Sequence, residues 1–273
     1  MTRITYHLTT LIIVLLAAAG CKTTSEADLK LTWLYGSVSI PGEGTKSGAD
    51  KVYDMEASGW SEKVQKDVRT NAKIPAVLFM HGCSGLGGFN FVADLFTKQK
   101  YAVFAPDSFR RPGRVSGCNT GMLDERIQVR HEEIAYALTQ IRALDWVDQD
   151  RILLAGFSEG GNATDSWWKS GFRAHIIFGS ACTHSGYGGK PAAPDGVPVL
   201  AIVGELDDVR PGKSCLVART IGGSKSVVIP DVYHEIIQYK ETQEAVAKFL
   251  KTCCTAEVVR RKARRVLNNP PQR

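Results

Sequence analysis

The chain is predicted to be an α/β protein built on a mainly parallel, doubly wound sheet with an antiparallel hairpin at its N-terminal edge. Three observations carry this. Strand-type runs rich in β-branched and aromatic residues alternate with amphipathic stretches through most of the 273 residues. The composition, 44% hydrophobic and 23% charged, is that of a globular protein and excludes a disordered or collagen-like chain. No internal repeat or low-complexity block interrupts residues 30–251, which therefore read as one domain.

In chain order, Arg3 precedes the apolar run Leu11–Ala19, which is too short to span a bilayer and ends in the small residues of a signal-peptidase site. Residues 1–20 are predicted to be a signal peptide. Cys21 follows Ala18-Ala19-Gly20, a pattern that resembles a bacterial lipobox and implies that Cys21 is acylated as the mature N-terminus. Lys22 stands where Asp would resemble an inner-membrane retention signal, so the expected location is the outer membrane, facing the periplasm. Residues 21–29 read as a polar tether.

Leu31–Ile40 and Lys51–Ala57 flank a Pro-Gly-Glu-Gly turn and are predicted to form the edge hairpin. Buried-type strands are expected at Ala76–Met80, Tyr101–Ala105, Ile152–Ala155, Ala174–Phe178, Val199–Val203 and Ser226–Ile229. Helices are expected at Phe91–Lys100, Leu123–Leu144, Gly160–Lys169 and Thr242–Lys251; Ile127, Ile134, Leu138 and Ile141 recur at helical spacing in the second. Residues 252–273 form a basic tail. Residues 251–273 hold seven Lys and Arg against Glu257, which accounts for the whole formal charge of +6 and leaves the rest of the chain balanced. A nucleic-acid partner is therefore not expected, because a basic face on the folded body is missing.

The most informative segment is Arg151–Gly161, in which a strand runs straight into Gly156-Phe157-Ser158-Glu159-Gly160-Gly161 and on into a helix. That context makes the pattern a nucleophile elbow, a tight turn that pushes the Ser158 hydroxyl out of the sheet. A serine hydroxyl needs a base, and the base needs an orienting carboxylate. The strand Val199–Val203 leads to Asp207, with Glu205 and Asp208 as competitors, and the strand Ser226–Ile229 leads to His234. All three groups would then lie at carboxyl ends of strands, where open α/β sheets gather their ligands. His131, His175 and His184 do not follow a terminal strand and are read as surface or packing residues. Ala76–Met80 runs into His81-Gly82-Cys83-Ser84-Gly85; the backbone amides of Cys83 and Glu159 are the expected oxyanion donors, and His81 is expected to brace the loop.

Together with Ala105-Pro106-Asp107-Ser108-Phe109, Gly204-x-x-Asp207 and Tyr233-His234, these motifs resemble the dienelactone hydrolase family of the α/β-hydrolase superfamily from about Lys30 to Lys251. The resemblance implies an α/β-hydrolase fold and a serine hydrolase acting on small-molecule carboxylic esters, with no metal or organic cofactor. Members that open dienelactones carry Cys at the elbow, whereas this chain has Ser158, so a general carboxylesterase is expected ahead of a lactonase. A peptidase of prolyl-oligopeptidase type, which would be expected to have a propeller-length domain ahead of the hydrolase unit, and a catalytically silent binding lipoprotein are the competing readings.

Arg110 and Arg111 lie in a loop that could grip a substrate carboxylate, with Arg114 close behind. Glu159 would disfavour anionic groups if its side chain faced the pocket. Beyond Cys21, six cysteines remain, an even number that favours disulfides in an exported protein, and no pair has zinc-finger spacing. The strand order usual in the family makes the third and fourth strands neighbours, and likewise the sixth and seventh. That order implies the bridges Cys83–Cys118 and Cys182–Cys215, leaving Cys253 and Cys254 either vicinally bridged or free.

Overall fold

The computed structural model describes residues 25–54, 60–118, 123–182, 188–209, 215, 217, 221–255 and 257. The signal peptide, Cys21, His184 and the basic residues 260–265 lie outside the described residues.

One eight-stranded sheet runs through the molecule in the order β2-β1-β4-β3-β5-β6-β7-β8. Its strands are β1 (Ser37–Ile40), β2 (Lys51–Asp54), β3 (Ile74–Met80), β4 (Ala102–Ala105), β5 (Val147–Phe157), β6 (His175–Phe178), β7 (Val199–Gly204) and β8 (Lys225–Ile229). β1 pairs antiparallel with both β2 and β4, and every pairing from β4 to β8 is parallel. The predicted sheet and its edge hairpin are therefore present.

The helices are α1 (Glu26–Leu34), α2 (Trp60–Asp67), α3 (Phe89–Thr97), α4 (Leu123–Arg142), α5 (Glu159–Asp165) and α6 (Lys240–Cys253). Strand side chains alternate between two cores, as a period of two requires. Val77, Phe79, Val103, Leu153 and Ile176 face α3 and α6. Ala76, Leu78, Met80, Phe104, Ile152 and Leu154 face the opposite layer, which contains Trp33 of α1, Val64 of α2 and Ile134, Leu138 and Ile141 of α4. β3 is buried at all seven positions, and each large apolar side chain there contributes roughly 1.5–3 kcal/mol relative to exposure. Among the described residues, no helix is long and apolar enough to cross a membrane.

Two expectations need correction at the N-terminus. Residues 31–34 are helical, and the strand starts only at Ser37; residues 26–29, read as tether, form the beginning of the same helix. Ser25 caps this helix by accepting from the Asp28 amide, and Glu26 and Asp28 sit in its first turn. Trp33 stacks on Phe104 at 5.6 Å, a tertiary contact that overrides the strand-like composition of Leu31–Tyr35. Helix α2 falls where no element was expected; its Val64, together with Val68 just beyond its end, closes the core beneath the hairpin.

Candidate active site

β5 ends at Phe157, and Ser158 then takes φ 55° and ψ −113°, a conformation strained for a residue with a side chain. The turn is held by the Ser158 amide donating to the Phe178 carbonyl and by the Asn162 amide donating to the Ser158 carbonyl, both at 2.9 Å. Its tightness explains the glycine at 160, where a Cβ would stand 1.9 Å from the Met80 carbonyl oxygen. Ser158 is half-buried at the carboxyl end of the sheet.

Asp207 and His234 meet at that end. The loops after β7 and β8 are tied together by the Glu205 amide on the Ile229 carbonyl and the Leu206 amide on the Val232 carbonyl, each 2.9 Å. Gly204 permits the approach, since a Cβ there would be 2.2 Å from the carbonyl oxygens of Val232 and Tyr233. Asp207 is fully buried; its Oδ1 accepts from the Val209 amide at 2.9 Å and its Oδ2 lies 2.8 Å from His234 Nδ1. The carboxylate requires the proton on Nδ1, which leaves a lone pair on Nε2. Nε2 is buried without a hydrogen-bond partner among the described residues, and the imidazole packs on Phe157, which precedes Ser158, at 4.9 Å. Of the competing acids, Glu205 is exposed and accepts from the Asp231 amide, and Asp208 is exposed.

The loop after β3 lies against the elbow, so that a Cβ on Gly82 would be 3.3 Å from the Ser158 Cβ. His81 is buried, and the Ser108 amide donates to its Nε2 at 3.0 Å. Its Nδ1 therefore carries the proton and donates to the Gly82 carbonyl at 2.7 Å. Burial, and after it the Arg130 charge, holds this imidazole well below its ordinary pKa. His81 thus braces the loop as a neutral donor. The Cys83–Cys118 bridge is present with Cα atoms 4.8 Å apart, as is Cys182–Cys215 at 5.0 Å. Cys253 and Cys254, left open by the sequence, form a buried vicinal bridge.

The side chain of Glu159 turns into the protein, where it is 3% exposed among arginines. It pairs with Arg114, Arg126 Nε is 3.5 Å away and Arg130 Nε 4.0 Å. Arg130 also bonds the His81 carbonyl at 2.8 Å and Glu133 at 3.1 Å; the Ser108 hydroxyl donates to Glu133 at 2.8 Å. Burial pushes the Glu133 carboxyl up, against the opposing pull of Arg130 and Ser108. Arg126, Arg130 and Glu133 were not singled out in the sequence, although their spacing along α4 places charge on one stripe of a helix that is otherwise apolar on its core side. Arg110 and Arg111 are engaged within the protein, Arg110 with Asp107 at 3.3 Å and over the Tyr35 ring, Arg111 with Glu132 at 2.8 Å. His131 bonds the Ser166 hydroxyl at 2.9 Å, and His175 is buried at the start of β6. Among the described residues, Asp165, Cys182 and Cys215 form a grouping of metal-ligand type, but both sulfurs are in the bridge.

A cavity of about 320 Å³ adjoins the site, lined by Gly82, Leu86, Phe89, Val92, Phe157 and Ile237, with Glu235 and Gln238 also on its lining. A larger cavity, about 700 Å³, lies at the opposite ends of the strands beside Lys73, Tyr101 and Leu250, remote from Ser158.

No family model matches the chain, and no curated protein matches its sequence. Solved structures do. One described as a dienelactone hydrolase from Klebsiella pneumoniae is 17% identical with a TM-score of 0.50, over 68% of this chain and 89% of its own. Another, described as a dipeptidyl aminopeptidase IV from Bacteroides ovatus, is 15% identical with a TM-score of 0.50, over 80% of this chain and 36% of its own. A structure from Xanthomonas campestris described as a hydrolase of the alpha/beta superfamily is 19% identical with a TM-score of 0.45, over 65% of this chain and 98% of its own. The strand order, the strained serine between β5 and α5 and the likeness to the two structures at a TM-score of 0.50 make this chain an α/β-hydrolase fold.

Proposed function

We propose that the protein is a serine hydrolase that cleaves carboxylic esters through an acyl-enzyme intermediate. Ser158 attacks the carbonyl carbon, His234 Nε2 takes the hydroxyl proton and returns it to the leaving alcohol, and Asp207 holds the imidazole tautomer. The amides of Cys83 and Glu159 bind the oxyanion as the tetrahedral intermediate forms. Water then repeats the sequence on the acyl-enzyme, with His234 again as base. The observation that carries this reading is the 2.8 Å Asp207–His234 contact at the sheet end where Ser158 is held at positive φ.

The substrate is an uncharged ester with one apolar arm in the cavity beside Gly82 and Phe157, which is at the small end of ligand pockets and lined largely by apolar side chains. Arg110 and Arg111 do not enter this reading as a carboxylate grip, because Asp107 and Glu132 already engage them. The protein acts from the periplasmic face of the outer membrane, anchored through lipidated Cys21.

A fluorophosphonate probe followed by peptide mapping tests the mechanism: label on Ser158 is expected, and label elsewhere or none would overturn it. Turnover of matched p-nitrophenyl esters and p-nitroanilides then separates esterase from peptidase, the reading suggested by the Bacteroides ovatus structure's description. Faster ester turnover is expected.

A further inference from the structure

We propose that the loop from Asp107 to Cys118 fixes the spacing of the two oxyanion amides, with Arg114 as a positioning residue and the Cys83–Cys118 bridge as its counterpart. The inference rests on the acyl-transfer reading above. That loop holds both donors. At one end, the bridge binds the Cys83 side chain and the Gly117 amide donates to the Cys83 carbonyl at 3.2 Å. The Cys83 amide also shares a peptide plane with the Gly82 carbonyl, which accepts from His81 Nδ1 at 2.7 Å and from the Gly85 amide at 3.1 Å. The peptide is thus pinned through its carbonyl, and on the acyl-transfer reading its N–H is the first oxyanion donor.

Four residues before Cys118, Arg114 pairs with Glu159, whose own amide is the second donor. Arg114 is anchored in turn by the Ser108 hydroxyl at 3.3 Å and lies over the Phe109 ring. Arg126 and Arg130 also face Glu159 but come from α4, so Arg114 is the link from Glu159 to the loop that holds Cys83. Oxyanion stabilisation depends on donors already placed where charge develops, and misplacement by about 1 Å costs on the order of 10²-fold in rate. A loop gripping both donors prevents the elbow and the β3 loop from drifting apart.

The bridge is also the accessible one. Cys118 is exposed and Cys83 half-buried, whereas Cys182, Cys215, Cys253 and Cys254 are each 1% exposed or less. A dithiol reductant therefore opens it first. A thiolate of the reductant attacks the Cys118 sulfur, and Cys83 leaves as thiolate and is protonated. The second thiol of the reductant then closes its own disulfide and releases Cys118, so two electrons pass from the dithiol to the protein.

The test uses the full chain and measures kcat and KM for p-nitrophenyl butyrate, inhibition by an alkyl boronic acid that forms a tetrahedral adduct on serine, and the melting temperature. Arg114→Gln and the paired Cys83→Ser/Cys118→Ser variant are each expected to lower kcat about 10–100-fold, with KM within about threefold and boronate affinity reduced in parallel. Arg114→Lys should recover part of the loss. Dithiol treatment of the wild type, well below its melting temperature, should reproduce the bridge variant's kcat and leave that variant unchanged. This arm stands even where a substitution prevents folding. Fluorophosphonate labelling keeps the two failures apart. Full labelling of Ser158 with kcat unmoved, in Arg114→Gln or after reduction, overturns the clamp alone. Absence of label on wild-type Ser158 overturns the acyl-transfer reading and the clamp with it.

Discussion

His234 Nδ1 stands 2.8 Å from Oδ2 of Asp207, which is fully buried, while the adjacent Asp208 is exposed. A carboxylate in that position fixes which imidazole nitrogen carries the proton, and only the Nδ1–H tautomer leaves Nε2 free to act as a base. Asp207→Asn should therefore lower kcat on the order of 10²–10⁴-fold, as expected when the tautomer is lost. Asp208→Asn should stay within about twofold, because an exposed, solvated carboxylate interacts only weakly with its surroundings. Ser158→Ala and His234→Ala should each lose several orders of magnitude, and their combination little more, because the groups act as one unit. Steady-state ester kinetics on the purified variants decides each point; a crippled Asp208→Asn would transfer the acid role to Asp208.

On the proposed reading, the cavity beside Gly82 is expected to set a length limit on the substrate. Val92 lines it from α3 and is 2% exposed, so Val92→Phe adds volume to the wall. The expected outcome is an optimum shifted toward shorter chains, with roughly tenfold loss or more in kcat/KM for the longest ester and little change for acetate. The strain of overpacking should cost about 1–3 kcal/mol of stability. Parallel series varied in the acyl part and in the alcohol part identify which arm occupies the cavity; an unchanged profile in both would remove the cavity from the site.

Stability should fall as the solution is acidified below about pH 6.5, the ordinary histidine value. Burial lowers the pKa of His81, aided by Arg130 and Arg114 and opposed by its hydrogen bond with the Gly82 carbonyl, and burial also lowers that of His131, aided by Lys169 and opposed by the Ala163 carbonyl. A depressed folded pKa means that the unfolded chain binds the proton first, so stability is present above the unfolded value and is lost as pH falls toward the folded one. Glu133, raised by burial, acts in the opposite sense above its own ordinary value of 4.5, but it is one group against two. Melting temperatures measured from pH 7.5 to 5.5 should decline, and His131→Gln should flatten the slope. A flat wild-type profile would contradict the neutral, buried state of both imidazoles.

Cys21→Ser should move the protein from the membrane to the soluble periplasmic fraction. Several acyl chains on one cysteine give stable anchoring, while a basic tail gives only weak attachment to anionic lipid. Fractionation of cells expressing each form is the measurement, and unchanged membrane association in the variant would count against lipidation at Cys21.

The sequence by itself determined the sheet and where Ser158, Asp207 and His234 stand along it. Strand-type runs such as Ala76–Met80 are buried on both faces, and such strands announce themselves as continuous apolar segments wherever they pack. The placement of Ser158, Asp207 and His234 at one end of the sheet was legible because each follows one of those strands, and the two inter-loop bridges followed from the strand order the family implies. What lies at longer range was decided only by the tertiary structure. Residues 31–34 have strand-like composition, yet Ser25 and the Trp33–Phe104 stack commit them to a helix. Arg110, Arg111 and Arg114 are alike in sequence. Only the fold sets Asp107 and Glu132 beside the first two and buries Glu159 beside the third. Local propensity and periodicity report on neighbours a few residues away. An ion pair spanning 45 residues of chain depends on how the elements pack, and that packing leaves no local mark in the sequence.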